Sequence, residues 1–305
     1  MIYSQNMLKF IVISDTHIVP KNQRCNGLDS AERLNLAIES INKDHPDADF
    51  CIHAGDITDR GDIESYERFH KIIQKLKIPL YLTIGNHDHR NNFKKVFKDE
   101  YSDINGFIQN IIDIKNQRII ILDTYEENML GEGRLCETRL KWLKNHIIKN
   151  DNLPTILVMH HHVTKIQSPY IDLISLENPN DFFNVVKNKS NIRHIITGHV
   201  HITSTTIKNN IPQTTIGGSH FTHSVKNFFT PFNYNLNELK NMKDENKISR
   251  EMIDEMSKQY ENIVILEGPA QYGVVFSDSI STTIHFHNYI EEYKRLPQSE
   301  TKLGY

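Results

Sequence analysis

Short apolar runs, rich in β-branched residues and each closing on or followed by a histidine, carboxylate or glycine, constrain this chain more than any other feature. They cover residues 9–14, 50–55, 80–85, 118–123, 155–160 and 194–199. Runs of this length, bounded by turn residues, read as buried strands. Residues 213–218, 272–277 and 282–287 read as further strands, the last two joined by a turn at Asp278-Ser279-Ile280-Ser281. Between the runs lie segments of helical periodicity. Leu34, Ala37, Ile38 and Ile41 share one face, with Asp29 or Ser30 as the cap and Pro46 as the stop. Ile63, Tyr66, Phe69, Ile73 and Leu76 form a second face, Leu140, Leu143 and Ile147 a third, and Phe182, Phe183 and Val186 a fourth. Strands alternating with amphipathic helices predict an α/β fold with much parallel sheet.

Residues 227–262 break this pattern, being polar and rich in Asn and Lys with no strong strand signal. The stretch reads as an insertion within a single 1–305 domain, a cap or a contact for a homo-oligomer, or as a disordered loop. No apolar run is long enough to span a bilayer, and residues 1–10 lack the basic head and apolar core of a signal peptide. A cytoplasmic protein without a membrane partner is therefore expected. A net charge of -3 gives no electrostatic case for a nucleic-acid partner. Cys25, Cys51 and Cys136 are isolated, so neither a disulfide framework nor a CxxC metal site follows, and Cys51 reads as core.

The chemistry lies at the strand ends. The first run is followed by Asp15-Thr16-His17, the second closes on Gly55-Asp56 and continues Ile57-Thr58-Asp59-Arg60-Gly61, and the third leads to Gly85-Asn86-His87-Asp88. Later runs end in His160-His161-His162 and in Gly198-His199-Val200-His201. In open α/β sheets ligands bind outside the carboxyl ends of strands. In extended backbone the members of Asp15/His17 and of His199/His201 would point the same way, so each pair can address one site. Mixed oxygen and imidazole donors suit Mn, Fe, Co or Zn, and their number exceeds one tetrahedral site, as expected for two metals sharing a carboxylate.

This ordered series, D-x-H, G-D, G-N-H-D, H and G-H-x-H, resembles the calcineurin-like metallophosphoesterase superfamily, from Phe10 to about Ser219 and again at the last strands. The resemblance implies a two-sheet β-sandwich flanked by helices, four layers in all, around a dinuclear centre of divalent or mixed-valence transition metals. It implies that Asp15, His17 and His201 hold the first metal, that Asn86, His160 and His199 hold the second, and that Asp56 bridges them. His87 would contact the phosphate and protonate the leaving oxygen. By likeness to the G-D-x-x-D-R-G stretch of Ser/Thr phosphatases, Asp59 would orient His87 and Arg60 would bind a phosphate oxygen bidentately.

Other polar residues near these motifs carry competing readings. His161 and His162 line the pocket or are solvated loop residues. His89 and Arg90 follow the third motif and can face substrate, although relatives often carry a carboxylate where His89 stands. His53 reads as a packed strand residue, His220 and His223 as ordinary loop residues, and Trp142 as part of a buried helix face.

Finer features resemble the class III cyclic-nucleotide phosphodiesterase branch: the histidine run, residues 168–178, a helix, and residues 191–199 leading into the G-H-V-H motif. Residues 131–146 resemble that branch as well. His162-Val163 departs from it, standing where many relatives have prolines. The function implied is hydrolysis of a cyclic nucleotide or another small phosphodiester by in-line attack of a metal-bridging hydroxide. A phosphomonoesterase or nucleotide pyrophosphatase on the same scaffold is the alternative. A scaffold protein without catalysis is the alternative of another class, and the intact ligand set argues against it.

Overall fold

A computed structural model describes residues 6–149, 152–168, 170–225 and 249–297, with isolated positions at 233, 238, 241 and 242. Two mixed sheets form the centre. The first has five strands in the order β13-β12-β1-β2-β3 and the second six in the order β4-β5-β6-β7-β9-β8. The first contains β1 (Leu8–Ile13), β2 (Phe50–Ala54), β3 (Leu80–Thr83), β12 (Ala270–Ser277) and β13 (Thr282–Ile290). The second contains β4 (Asn110–Ile114), β5 (Gln117–Leu122), β6 (Thr155–Met159), β7 (Ile192–Thr197), β8 (Ser204–Lys208) and β9 (Ile211–Thr215). In the first sheet parallel β1, β2 and β3 are joined on one side by antiparallel β12 and β13, and in the second parallel β5, β6, β7 and β9 are flanked by antiparallel β4 and β8.

The central strands β1, β2, β5 and β6 are buried along nearly their whole length because both faces are covered. On β1, Phe10 and Val12 enter the core between the sheets, while Ile11 and Ile13 pack under helices. The pattern repeats on β5, where Ile119 and Ile121 face the other sheet and Ile120 and Leu122 face outward. The outer face of the first sheet is covered by α1 (Ser30–Asp44), α2 (Ile63–Ile73) and α3 (Arg90–Phe97), and that of the second by α4 (Glu137–Lys149) and α5 (Pro179–Val186). The four-layer sandwich expected from the sequence is the observed fold.

The helix faces also match, with adjustments. Asp29 caps α1, its side chain accepting from Ala31 and Glu32 N–H groups. On α2 the buried face is Tyr66, Phe69 and Ile72, whereas Ile63 is exposed and Leu76 lies past the helix end. Trp142 is only partly buried, packed at the edge of the helix-side core. Strands β4 and β8 and helix α3 are not among the elements expected from the sequence. The burial of β8 alternates between half-buried and exposed at the sheet edge, so it lacks an apolar run. Its partner follows a turn at Asn209-Asn210, both with positive φ (54° and 61°), as a tight hairpin requires.

Two short strands, β10 (Thr222–Val225) and β11 (Val264–Glu267), pair antiparallel. Half of 227–262 lies outside the described residues, and its end is α6 (Arg250–Ile263), which runs into β11. Ile263, Val264 and Leu266 pack with Val19, Cys25, Val200 and Phe221 in a small cluster beside the strand-end loops. Among the described residues no helix is long and apolar enough to cross a membrane.

Candidate metal centre

The motif-bearing loops converge at the carboxyl ends of β1, β2, β3, β6 and β7. The first two loops are laddered together by main chain: Asp15 N–H donates to Gly55 O (3.0 Å), His17 N–H to Asp56 O (3.1 Å) and Ile18 N–H to Ile57 O (2.9 Å). On the other sheet Gly198 N–H donates to His160 O (3.1 Å). The extended backbone expected for the Asp15/His17 and His199/His201 pairs is not what forms. Asp15, His17, Asp56, His199 and His201 all have positive φ, between 43° and 74°. Non-glycine residues rarely adopt this left-handed conformation, and it costs free energy that the surrounding ladder must hold in place. With both members turned this way, Asp15 and His17 still meet, but His199 and His201 join different groups of donors.

Asp15, His17 and His201 form one group of donors, with His17 Nε2 3.0 Å from His201 Nε2 and His201 Nε2 3.4 Å from Asp15 Oδ1. In the second, His160 Nε2 is 3.1 Å from Asn86 Oδ1, 3.2 Å from His199 Nδ1 and 3.2 Å from Asp56 Oδ2. The same Asp56 Oδ2 lies 3.8 Å from His17 Nε2, so its carboxylate stands between the groups. Donors about 2.1 Å from an ion are spaced about 3.0–3.4 Å apart at octahedral or tetrahedral angles. The observed separations fall close to those edges, so the residues fit two ions sharing Asp56. Gly85 closes the floor, because a Cβ there would overlap Asp56 Oδ1 and His160 Nε2.

Three of the four histidines, His160, His199 and His201, are anchored through the other nitrogen, which fixes the tautomer and aims the donor atom. His160 Nδ1 meets Ala54 O (2.8 Å), His199 Nε2 meets Ile174 O (2.8 Å) and His201 Nδ1 meets Phe221 O (3.0 Å). His17 Nδ1 faces the Asp59 carboxylate at 3.6 Å. Burial, joined by neighbouring histidines, holds the pKa values of His199 and His201 well below the usual range, which keeps their lone pairs available. At His160 burial acts the same way, but Asp56 and Asp15 outweigh it and raise the pKa to about 9. Burial opposes ionisation of Asp56 too, yet His160 and His87 hold its carboxyl well below the ordinary value.

The remaining expected residues fall into distinct places. His87 is half-buried beside His17 and Asp56, with Nδ1 2.9 Å from Asp59 O and its main-chain N–H donating to Asp56 Oδ1 (2.9 Å). Asp59 thus contacts His87 through main chain, while its carboxylate serves His17. Arg60 stands at the rim, its side chain 71% exposed and 3.5 Å from Asp59. His89 and Arg90 both have structural partners. His89 caps α3, accepting from Asn92 N–H, and Arg90 forks onto buried Asp123.

Four histidines lie elsewhere than in solvated or ordinary loops. His161 and His162 are not solvated; both are fully buried. His220 is fully buried with Nε2 3.2 Å from Cys25 O, and His223 stacks on His201 at 4.8 Å, so neither is an ordinary loop residue. His53 is the packed strand residue expected, bonded to Thr16 Oγ1 at 2.9 Å, and burial lowers its pKa to about 3.

Asp88, given no role from sequence although it closes the third motif, accepts from Gly85, Ile57 and Thr58 N–H groups and from the Thr58 and Tyr66 hydroxyls. It pins the Asp56 loop to the His87 loop. Five donors around one buried carboxylate are a tertiary fact with no sequence spacing of its own.

Comparison with known proteins follows the same lines. A family model described as Calcineurin-like phosphoesterase matches residues 8–203. A probable cyclic nucleotide phosphodiesterase of Rhodopseudomonas palustris is 35% identical over 196 residues, 64% of this chain and 72% of that one. A 3',5'-cyclic adenosine monophosphate phosphodiesterase of Pseudomonas aeruginosa is 29% identical over 192 residues (63% and 68%). A probable glycerophosphodiester phosphodiesterase of Arcobacter nitrofigilis is 32% identical over 204 residues (66% and 74%). Among solved structures, a dimetal phosphatase from Danio rerio superposes with a TM-score of 0.58 over 91% of this chain and 98% of that one, at 13% identity, a likeness of fold.

Proposed function

The chain belongs to the calcineurin-like phosphoesterase family and is a hydrolase of phosphate esters, and from that premise we propose that it is a phosphodiesterase with a dinuclear metal centre, acting on a cyclic nucleotide or another small phosphodiester. The observation that carries this reading is the pair of donor groups sharing Asp56, each spaced as the edges of a coordination shell. Asp15, His17 and His201 would hold one ion, Asn86, His160 and His199 the other, and Asp56 both. The mixed oxygen and imidazole donors suit Mn, Fe, Zn or Co. Such ions supply Lewis-acid charge to phosphoryl oxygens and make water nucleophilic at neutral pH.

The chain's own residues supply the rest. His87 has Nδ1 committed to the Asp59 carbonyl, so transfer of a proton to the leaving alkoxide falls to Nε2. The Ala54, Ile174 and Phe221 carbonyls orient His160, His199 and His201, and the Asp59 carboxylate faces His17 Nδ1 at 3.6 Å. Arg60, exposed beside the site, would meet a phosphate oxygen at the rim. The names of the relatives support a diester over a monoester: two are named for cyclic nucleotides, one of them as probable, and one as a probable glycerophosphodiester phosphodiesterase. We read residues 1–305 as one phosphoesterase unit, with 227–262 as an excursion between β10 and β11.

The test compares bis-p-nitrophenyl phosphate with p-nitrophenyl phosphate on Mn-loaded protein, with a chelator control, followed by cyclic AMP and glycerophosphodiesters. Chelator-sensitive preference for the diester is expected. Preference for the monoester would overturn the diesterase assignment.

A further inference from the structure

We propose that His161 is a fifth protein donor at the second metal position, beside Asp56, Asn86, His160 and His199. This rests on the dinuclear reading above and adds a residue to it.

His161 follows His160 directly at the end of β6 and is fully buried. Its Nδ1 lies 2.7 Å from Thr124 Oγ1. The hydroxyl can accept from Nδ1–H, which leaves the lone pair on Nε2. That Nε2 is buried with no hydrogen-bond partner among the described residues. A buried acceptor without a donor is an exception that calls for a missing partner. The surroundings indicate which partner. A ring nitrogen of His161 lies within 4.8 Å of donor atoms on both His160 and His199. The ring centroids are 4.9 Å from His160 and 4.6 Å from His199. An unpartnered imidazole lone pair among other lone-pair donors is completed by a cation, not by another acceptor.

The ring is also seated against retreat. Its back face lies on residue 133, where a Cβ would overlap His161 Nδ1 and Cγ, so glycine is required. Gly133 is itself pinned, pairing with Leu176, and the segment before Leu176 supplies the Ile174 carbonyl that anchors His199. His161 and His199 are therefore positioned by two segments of main chain that the Gly133–Leu176 bridge ties together. His162 also has buried ring nitrogens without a hydrogen-bond partner among the described residues, but it belongs to no group of candidate donors, and its Nε2 stands 3.5 Å from Asp172 Oδ1.

Chelator-stripped protein titrated with Mn(II), by calorimetry and by metal content after gel filtration, reads the second ion directly. Wild type should bind two ions. H161A should keep the first ion and bind the second at least about 10–100-fold more weakly, the range that loss of even an outer partner produces. H162A should match wild type. Where H161A does not fold, cobalt-loaded wild type gives the same answer. Ligand imidazoles carry shifted, exchangeable N–H protons, and five such signals are expected, from His17, His160, His161, His199 and His201. Four signals, or an H161A protein with unchanged second-ion affinity and a raised KM, would overturn the proposal and make His161 a substrate contact. A wild type that binds fewer than two ions overturns the dinuclear reading itself, and this proposal with it.

Discussion

His87 Nδ1 lies 2.9 Å from the main-chain carbonyl of Asp59, while the Asp59 carboxylate turns to His17. One residue therefore serves two histidines by two different groups, and substitution separates them. In D59N the carbonyl persists, so His87 keeps its orientation and the loss falls on His17. Metal affinity should weaken about 10–100-fold, as for other outer partners of metal ligands. At saturating metal kcat should stay within a few-fold of wild type. A kcat that remains low when metal is saturating would show that the carboxylate acts on His87 after all.

H87A tests the proton donor. Loss of a positioned general acid costs about 10²–10⁴ in rate, and here metal content should not change. The deficit should be large for a diester whose leaving group is an aliphatic alkoxide and small for a nitrophenyl diester, which needs no proton. Equal deficits for both substrates would remove the acid role from His87.

D88A tests the tie between the second and third loops. Removing the carboxylate strands five donors, and each buried unpaired group costs about 1–3 kcal/mol. Allowing for water and relaxation, unfolding free energy should fall by about 3 kcal/mol or more, measured by urea denaturation, and both ions should bind more weakly. A loss under about 1 kcal/mol would mean that the loops hold together without Asp88.

The sequence reached the strands and donors better than the geometry that aims them. Strands apolar on both faces announce themselves, and β1, β2 and β6 do so because one face meets the other sheet and the other face meets helices. Edge strands such as β8 bury only part of one face and carry no such mark. The left-handed backbone at Asp15, His17, His199 and His201 was invisible, because no glycine stands at those positions to signal it. The anchors of His160, His199 and His201 are carbonyls of Ala54, Ile174 and Phe221. Every residue has a carbonyl, so no residue type betrays which one will be used. His220 and His223 read as loop residues because the contacts that place them, with Cys25 and with His201, are distant in sequence.

The pH response of the metal-free protein follows from His160. Its pKa is raised from 6.5 to about 9, since Asp56 and Asp15 outweigh burial. A raised histidine stabilises the fold fully below the unfolded value of 6.5, and that contribution is lost as pH rises through about 9. The Tm of metal-free protein should therefore decline from pH 6 to pH 9 relative to loaded protein, in which His160 must be neutral. Metal binding in this window should release a proton, detectable in calorimetry across buffers of different ionisation enthalpy. No proton release at pH 7 would contradict the His160 assignment.

The central claim is that catalysis needs two ions sharing Asp56. The most direct measurement titrates Mn(II) into metal-free protein, following bis-p-nitrophenyl phosphate hydrolysis and bound metal together. The account predicts that hydrolysis tracks the second equivalent, and that D56N neither holds two ions nor turns over the diester. Full activity at one bound ion per chain, or a D56N protein that binds and hydrolyses normally, would contradict it.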